Sequence, residues 1–400
     1  MTIARLLGRV APGLVSRSII STQRALDRLS PAAAPLPVGL NWVGYLRGNN
    51  GLGVSARAIA AALAASDLPC SFVAIPGRAD RDTQDAGVPL RDAFPYRVTA
   101  IHVNPLPLPA VLSAFRRAAL PRRKLVGMWF WELERVPKSW RTLSESFDEV
   151  WTGSAWNRAL FAEQLRCPVF QTPIPLDTLA SAETPRGPLP LPIAALGSRF
   201  LFLSQFNAKS GLDRKNPEAT IEAYRSAFPV DVGATALLMK SLNGRDAPSR
   251  LARLREAAGG RADIALLDGD LTTAQMNALY DRCDCYVSLH RSEGLGLGIL
   301  EAWRRGKAVA FTDYSGPVEF RDLPGMQPVR FRRTSVETAF KPYRGGGEWA
   351  EPDLDHASEV FRRVAAGGHA PNAWREAPAA YSSPALRAFV RERVEALSAH

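Results

Sequence analysis

Ser288-Leu-His-Arg-Ser-Glu-Gly-Leu-Gly-Leu-Gly-Ile-Leu-Glu-Ala-Trp303 reads as a strand that runs into a glycine-rich turn and then a helix ending near Gly306. Gly294, Gly296 and Gly298 let backbone come close to a ligand. The free NH groups and positive dipole at the helix start favour a pyrophosphate there. Glu293 stands before the glycines and Glu301 falls in the first turns of the helix, so both carboxylates can face one bound molecule. Glycine-rich turns with solvated acids also occur in ordinary strand-to-helix connections. The pairing with two acids is the more specific feature.

Working outward, the same alternation of short apolar runs and amphipathic segments fills the chain, the pattern of βα units in a mostly parallel sheet. Runs at Val38–Tyr45, Cys70–Ile75, Val98–Val103, Leu125–Phe130, Glu149–Thr152 and Pro168–Thr172 make a first series. Arg199–Phe206, Thr235–Lys240, Asp263–Leu267, Asp284–Leu289, Lys307–Phe311 and Pro328–Phe331 make a second. Between the series, Pro173–Pro192 holds six prolines, which cannot continue a helix interior or a central strand, and it is the candidate linker. Val54–Ala65 and Ser154–Gln164, the latter opened by a serine cap, read as helices. The predicted architecture is α/β with two Rossmann-like domains, 38–192 and 193–375. A basic leader (1–37) precedes them, and a last helical stretch, Ser383–Leu397 within 376–400, could cross back to the first. Ligands bind open parallel sheets at the carboxyl ends of the strands, so a site between two such domains is expected.

Four hundred residues fit two domains of ordinary size. Only four cysteines, Cys70, Cys167, Cys283 and Cys285, argue against a disulfide scaffold and fit a reducing compartment, read as the cytosol. Cys283 and Cys285 lack the second ligand pair of a metal site and read as buried structural thiols. No run approaches the ~20 apolar residues of a spanning helix, and no secretory leader is evident. The net charge of +11 points to an anionic partner: a nucleic acid, an anionic membrane surface or a phosphorylated substrate. Nucleic acid is disfavoured, because the basic residues are scattered through Arg116–Lys124, Arg330–Arg333 and the leader. In the leader, Ile3, Leu6, Leu7 and Val10 fall at helical spacing, while Arg5, Arg9, Arg17, Arg24 and Arg28 face a single acid, Asp27. Such a basic amphipathic stretch could touch an anionic membrane, although Pro12 interrupts it and packing on the main body is the alternative.

The Glu293-to-Glu301 stretch resembles the E-x7-E motif of retaining glycosyltransferases of the GT-B fold, family 4 in particular. Asp213-Arg-Lys-Asn-Pro-Glu looks like the same family's Arg-Lys-Asn-Pro segment, and Asn50-Gly-Leu-Gly-Val-Ser-Ala-Arg resembles its N-terminal glycine loop. Trp129-Phe-Trp-Glu-Leu-Glu-Arg-Val-Pro, Asp148-Glu-Val-Trp-Thr-Gly-Ser-Ala-Trp-Asn and Trp349-Ala-Glu-Pro-Asp-Leu-Asp-His look like segments of bacterial members, so the likeness spans roughly 38–365. It implies that Glu293 and the turn Gly294-Leu295-Gly296 meet the donor sugar and diphosphate and that Glu301 binds the nucleotide ribose. Lys215 and Arg214 would stabilise the charge a departing diphosphate gains, and Gly51-Leu52-Gly53 would close over the donor. Ser204-Gln-Phe-Asn brings no further arginine to the clamp, a departure from many relatives. His102, a further catalytic candidate, and Asn104 end the third strand, where they could touch the donor sugar or the acceptor; His290 and Lys240 are candidates for contact with the donor, and the histidines have a structural alternative. Glu132 and Glu134 suggest no chemistry of their own.

The implied reaction is retaining, metal-independent transfer of a sugar from a UDP- or GDP-sugar co-substrate, a mannose-type donor being one guess, with no resident cofactor. The acceptor would be a saccharide or lipid-linked saccharide, in bacterial surface polysaccharide or lipopolysaccharide synthesis. The rival readings are a nucleotide-sugar epimerase or phosphorylase-like enzyme on the same plan and, more distantly, a basic nucleic-acid-binding protein.

Overall fold

Strands covered by helices on both faces are apolar along their whole length, which is why the two series of runs are visible at all. The computed structural model describes residues 12–29, 35–76, 84–120, 122–179, 186–189, 193, 196–338, 340–367 and 374–399. The chain divides into two units. Met1–Trp131, Arg135–Leu179 and Ala377–His400 form unit 1, and Glu132–Glu134 with Ala180–Glu376 form unit 2.

Unit 1 carries β1 (Leu40–Gly44), β2 (Cys70–Ala74), β3 (Val98–His102), β4 (Lys124–Met128), β5 (Glu149–Thr152) and β6 (Val169–Gln171). They form one parallel sheet in the order β2-β1-β3-β4-β5-β6. The order reverses direction between β1 and β3, and that switch point opens a crevice at the strand ends. Helix Ser383–Ser398 belongs to this unit: Phe389 meets Trp151 edge to face at 5.2 Å, and Arg393 pairs with Glu149. Two segments singled out in the sequence hold each other here. Trp131 N–H donates to Asn157 Oδ1 at 2.7 Å, and Asn157 Nδ2 donates back to the Trp131 carbonyl at 2.8 Å.

Helix Pro12–Leu29 starts at Pro12, where the sequence suggested an interruption, because proline is well tolerated in a first turn. It lies against helices Leu108–Ala119 and Lys138–Ser144 and buries Ile20. Gly13 is required there, since a Cβ would sit 2.3 Å from the Ser139 carbonyl oxygen. Arg17 and Arg24, counted as part of a basic face, are paired with Glu145 at 2.7 Å and Asp148 at 2.9 Å. The apolar stripe from Ile3 to Val10 lies outside the described residues. Among those described, no helix is long and apolar enough to cross a membrane.

Unit 2 carries β7 (Phe200–Asn207), β8 (Thr235–Leu242), β9 (Ile264–Asp268), β10 (Cys285–Ser288), β11 (Ala308–Thr312) and β12 (Met326–Val329). The parallel order is β12-β11-β10-β7-β8-β9, the doubly wound arrangement with its switch point between β7 and β10. A core of Phe202, Tyr224, Leu237, Val287 and Phe361 supports this sheet. Cys283 and Cys285 are buried and form no disulfide. The run Pro328–Phe331, taken from sequence as one strand, is two: β12 ends at Val329, and Phe331 opens β13 (Phe331–Ser335), which pairs antiparallel with β14 (Glu348–Pro352). The strand breaks at exposed Arg330, so Phe331, which follows, serves a different sheet.

Candidate functional site

The switch point of unit 2 fixes which loops meet: the one after β7 and the one after β10. After β7 the chain turns through Gly211, in the left-handed region at φ 76° because a Cβ would strike the Tyr343 ring at 2.6 Å. The short helix Leu212–Lys215 follows and ends at Asn216, also left-handed at φ 52°. This geometry turns Arg214 and Lys215 toward the loop after β10.

That loop delivers Glu293. Its Oε2 lies 3.0 Å from Arg214 Nη1, its Oε1 is in contact with Lys215 Nζ, and the carboxylate is buried. Burial alone would push the acid up. Arg214 and Lys215 outweigh it and hold Glu293 well below the usual carboxylate range. Arg214 is itself enclosed, 3% exposed, donating to the Ser292 carbonyl at 2.7 Å and the Ser210 carbonyl at 3.2 Å. Burial would lower its affinity for the proton, but Glu293, with Tyr343 and Glu132, more than compensates. Lys215 is opposite in sign: burial lowers its ammonium, and Glu293 only partly restores it.

Backbone contacts hold the turn as firmly. Glu293 N–H donates to Ser315 Oγ at 2.8 Å, and Gly316 N–H donates to the Glu293 carbonyl at 2.9 Å. Ser315 does this at φ 63°, ψ −143°, a conformation that costs a non-glycine residue about 1–3 kcal/mol and persists where its surroundings impose it. At Gly316 a Cβ would lie 2.3 Å from the Gly294 carbonyl oxygen, so the two loops touch backbone to backbone. Gly296, at φ 87°, then caps helix Leu297–Arg304. Its first NH groups lie outside the intrahelical ladder, which makes the helix start a seat for an anion.

Glu301 sits on the second turn of that helix, where Oε2 accepts from Tyr280 OH at 3.1 Å. Tyr280 OH in turn accepts from Gln205 Nε2 at 2.6 Å. Lys240, beside Gln205 in the sheet register, donates to the carbonyls of Ser241 and Gly269 at 2.6 and 2.5 Å. Burial brings its ammonium down to about 8, against the opposing pull of Asp268. His290 is fully buried: Nε2 faces the Tyr314 carbonyl at 3.3 Å and Nδ1 faces Ser288 Oγ at 3.1 Å. Burial lowers it to about 4, so the ring is neutral and holds two loops together.

Unit 1 has its own switch point, with the glycine loop after β1 and His102 ending β3. Asn50 caps helix Gly51–Ala64 by accepting from Gly53 N–H at 2.9 Å, and a Cβ on Gly53 would lie 2.3 Å from the Gly48 carbonyl oxygen. His102 is fully buried beside Trp42 and Phe130, Nε2 3.0 Å from Ser55 Oγ, with no hydrogen-bond partner at Nδ1. Burial lowers it to about 4. Asn104 Oδ1 accepts from Phe130 N–H at 2.9 Å.

The structure therefore brings Glu293, Arg214, Lys215, His290 and the Gly294–Gly296 turn into one cluster of unit 2, with Glu301 on the following helix. Gly51, Leu52, Gly53 and His102 form a second group within unit 1. Sequence reasoning named Glu132 without giving it a chemistry; its Oε1 lies 3.9 Å from Arg214 Nη2. It passed over Tyr343, whose hydroxyl donates to Glu132 at 3.1 Å. It also passed over Tyr280 and Gln205. Only Trp131-Glu-Leu-Glu134, an acidic pair set directly after an apolar run, carried a signal for Glu132. Among the described residues no group of three or more His, Cys, Asp or Glu side chains could hold a metal ion.

No family model matches the chain, and no curated protein does. Solved structures do. HepE of Anabaena, in complex with UDP and glucose, covers 90% of this chain and 100% of its own at 12% identity, with a TM-score of 0.57. The alpha,alpha-trehalose 6-phosphate synthase of Burkholderia multivorans covers 78% of this chain and 72% of its own at 14% identity, with a TM-score of 0.51. The UDP-forming enzyme of Burkholderia xenovorans in complex with glucose-6-phosphate covers 76% and 73% at 14% identity, with a TM-score of 0.52. At such identities the likeness establishes the fold: α/β, with the two parallel six-stranded sheets of GT-B glycosyltransferases.

Proposed function

We propose that this chain is a glycosyltransferase that moves a sugar from a nucleotide diphosphate donor, a UDP- or GDP-sugar, to a saccharide or lipid-linked saccharide. One observation carries the reading: a buried carboxylate, Glu293, held between Arg214 and Lys215 at the mouth of a glycine turn that opens a helix. Two fixed cations and a helix start suit a leaving diphosphate, whose charge grows as the glycosidic bond breaks. The donor side is unit 2. Glu301, oriented by Tyr280, takes the ribose hydroxyls, the turn Gly294–Gly296 takes the pyrophosphate, and Glu293 meets the donor sugar. The acceptor side is unit 1, with His102 and the Gly51–Gly53 loop at its switch point.

The reaction retains anomeric configuration, with the departing phosphate oxygen as base for the acceptor hydroxyl, and Arg214 and Lys215 take the place a metal ion would hold. A role in bacterial surface polysaccharide or lipopolysaccharide synthesis, in the cytosol at the inner membrane face, is consistent with such an acceptor. Any membrane contact falls mainly to residues before the paired Arg17 and Arg24. A thermal-shift screen against UDP, GDP, ADP and their sugars tests the reading, since a ligand that binds only the folded state raises the apparent Tm. A shift with one nucleotide family supports it, and no shift with any of them overturns it.

A further inference from the structure

Glu132 belongs to unit 2, as one of the three residues Glu132–Glu134. Its carbonyl accepts from Ser292 Oγ and its carboxylate from Tyr343 OH at 3.1 Å. Glu134 secures the other end, accepting from Tyr314 OH at 3.1 Å and pairing with Arg333. The carboxylate of Glu132 thus stands at a fixed place 3.9 Å from Arg214.

The charges in this cluster sum to zero: Arg214 and Lys215 against Glu132 and Glu293. A nucleotide sugar brings two more negative charges on its pyrophosphate, and it meets cations already balanced by carboxylates. One carboxylate has to give way. Glu293 is engaged by both cations and held strongly ionised. Glu132 has the weaker hold, with a longer approach to Arg214 and one hydroxyl donor. Burial pushes its carboxyl up and Glu293 adds to this, while Arg214, Tyr343 and Lys215 oppose them. These are the charged and titratable groups that face it, from the loop after β7, the loop after β10 and the connection between β13 and β14. An anion arriving at Arg214 favours the neutral acid further.

We propose that Glu132 counterbalances Arg214 in the donor-free protein and takes up a proton from solvent when a nucleotide diphosphate binds, releasing Arg214 to the phosphate. The proton returns to solvent when the nucleoside diphosphate leaves, and no covalent bond changes in this step. The inference rests on the reading of Arg214 and Lys215 as diphosphate ligands.

Calorimetric titration with UDP-glucose, GDP-mannose and ADP-glucose, in buffers of different ionisation enthalpy near pH 7, counts the protons taken up by whichever donor binds. The pyrophosphate diester does not titrate near neutrality, so the protons belong to the protein. Wild-type protein takes up protons on binding. Glu132→Gln does not, and it binds the donor about tenfold or more tightly, the equivalent of one pKa unit of relieved repulsion. No uptake in the wild type, or equal uptake in Glu132→Gln, overturns the inference and leaves the donor reading standing. Binding of none of the three overturns both. Should Glu132→Gln fail to fold, Tyr343→Phe serves: losing a hydrogen bond to the ionised acid moves the pH of half-maximal uptake upward, and an unmoved midpoint overturns the inference.

Discussion

Arg214 and Glu293, 79 positions apart by number, meet at 3.0 Å with Arg214 almost wholly enclosed, so each is the other's main compensation for leaving water. Breaking a buried ion pair by removing one partner leaves the other charge uncompensated, at a cost of about 3–5 kcal/mol. Arg214→Met should therefore destabilise unit 2 by several kcal/mol, measured by urea unfolding at pH 7. A carboxylate held below its ordinary value stabilises the fold above its unfolded value, about 4.3, and loses that contribution as pH falls through the folded value. The penalty of Arg214→Met should be full at neutral pH and shrink below about pH 4. A penalty independent of pH would mean that packing, and not the charge pair, carries it.

His102 and His290 also weaken the fold in acid, over a higher pH window than Glu293. Both are buried neutral, with burial lowering each to about 4 against an unfolded value near 6.5. The unfolded chain then binds more protons than the folded one between these values, so stability falls as pH drops from about 6.5 to about 4. The loss is about 3 kcal/mol for each histidine. His102→Asn should flatten the slope of unfolding free energy against pH across that window. An unchanged slope would place the acid sensitivity elsewhere.

Glu301→Ala should weaken binding of the nucleotide by about 1.5–3 kcal/mol in calorimetry, the range for hydrogen bonds to a charged group, while leaving the fold intact. Tyr280→Phe removes the 3.1 Å hydrogen bond that orients Glu301, together with the one Tyr280 accepts from Gln205, but keeps the Glu301 carboxylate, so it should lose a smaller part of the affinity. Unchanged affinity in folded Glu301→Ala would remove the ribose assignment.

What sequence could show and what it could not divide along physical lines. Parallel strands buried on both faces leave apolar runs, so the twelve strands of the two sheets were visible within a few residues. The hairpin of β13 and β14 was not: Phe331-Arg-Arg-Thr-Ser is largely exposed and charged, with no run to mark it. Glu293 stood out because it precedes a glycine-rich turn between a strand and a helix, and Lys215 through the resemblance of its Arg-Lys-Asn-Pro segment. Glu132 did not, since its meaning depends on Arg214 and on Tyr343, the latter 211 positions away. Ser315 gave no signal either, because its left-handed backbone follows from contact with Glu293 and not from its own propensity.

Gly316→Ala tests that contact. A Cβ 2.3 Å from the Gly294 carbonyl oxygen cannot be accommodated unless one loop moves, since the atoms it would meet belong to backbone. Overpacking of this kind costs about 1–3 kcal/mol and should shift the glycine turn from its place. A lower Tm together with weaker nucleotide binding is the expected result. Wild-type nucleotide affinity would show that the turn does not hold the diphosphate.

Lys215 separates binding from chemistry. Its side chain is more exposed than that of Arg214, 24% against 3%, so it has more access to a ligand and less of a role in the fold. In the proposed reaction the leaving diphosphate gains charge as the glycosidic bond lengthens. Only interactions that strengthen on the way to the transition state raise kcat. Lys215→Ala should therefore lower kcat by roughly a hundredfold or more, about 3 kcal/mol, the scale seen when one charge-stabilising group is removed, with a smaller change in donor affinity. Lys215→Arg should recover part of the loss, since it keeps the charge but not its position. The wild-type reaction should proceed in excess EDTA, since the proposed reaction assigns compensation of the phosphate charge to Arg214 and Lys215. NMR of the first product should show the anomeric configuration of the donor. A Lys215→Ala protein with wild-type kcat would remove Lys215 from the chemistry, and an inverted anomer would remove the retaining mechanism.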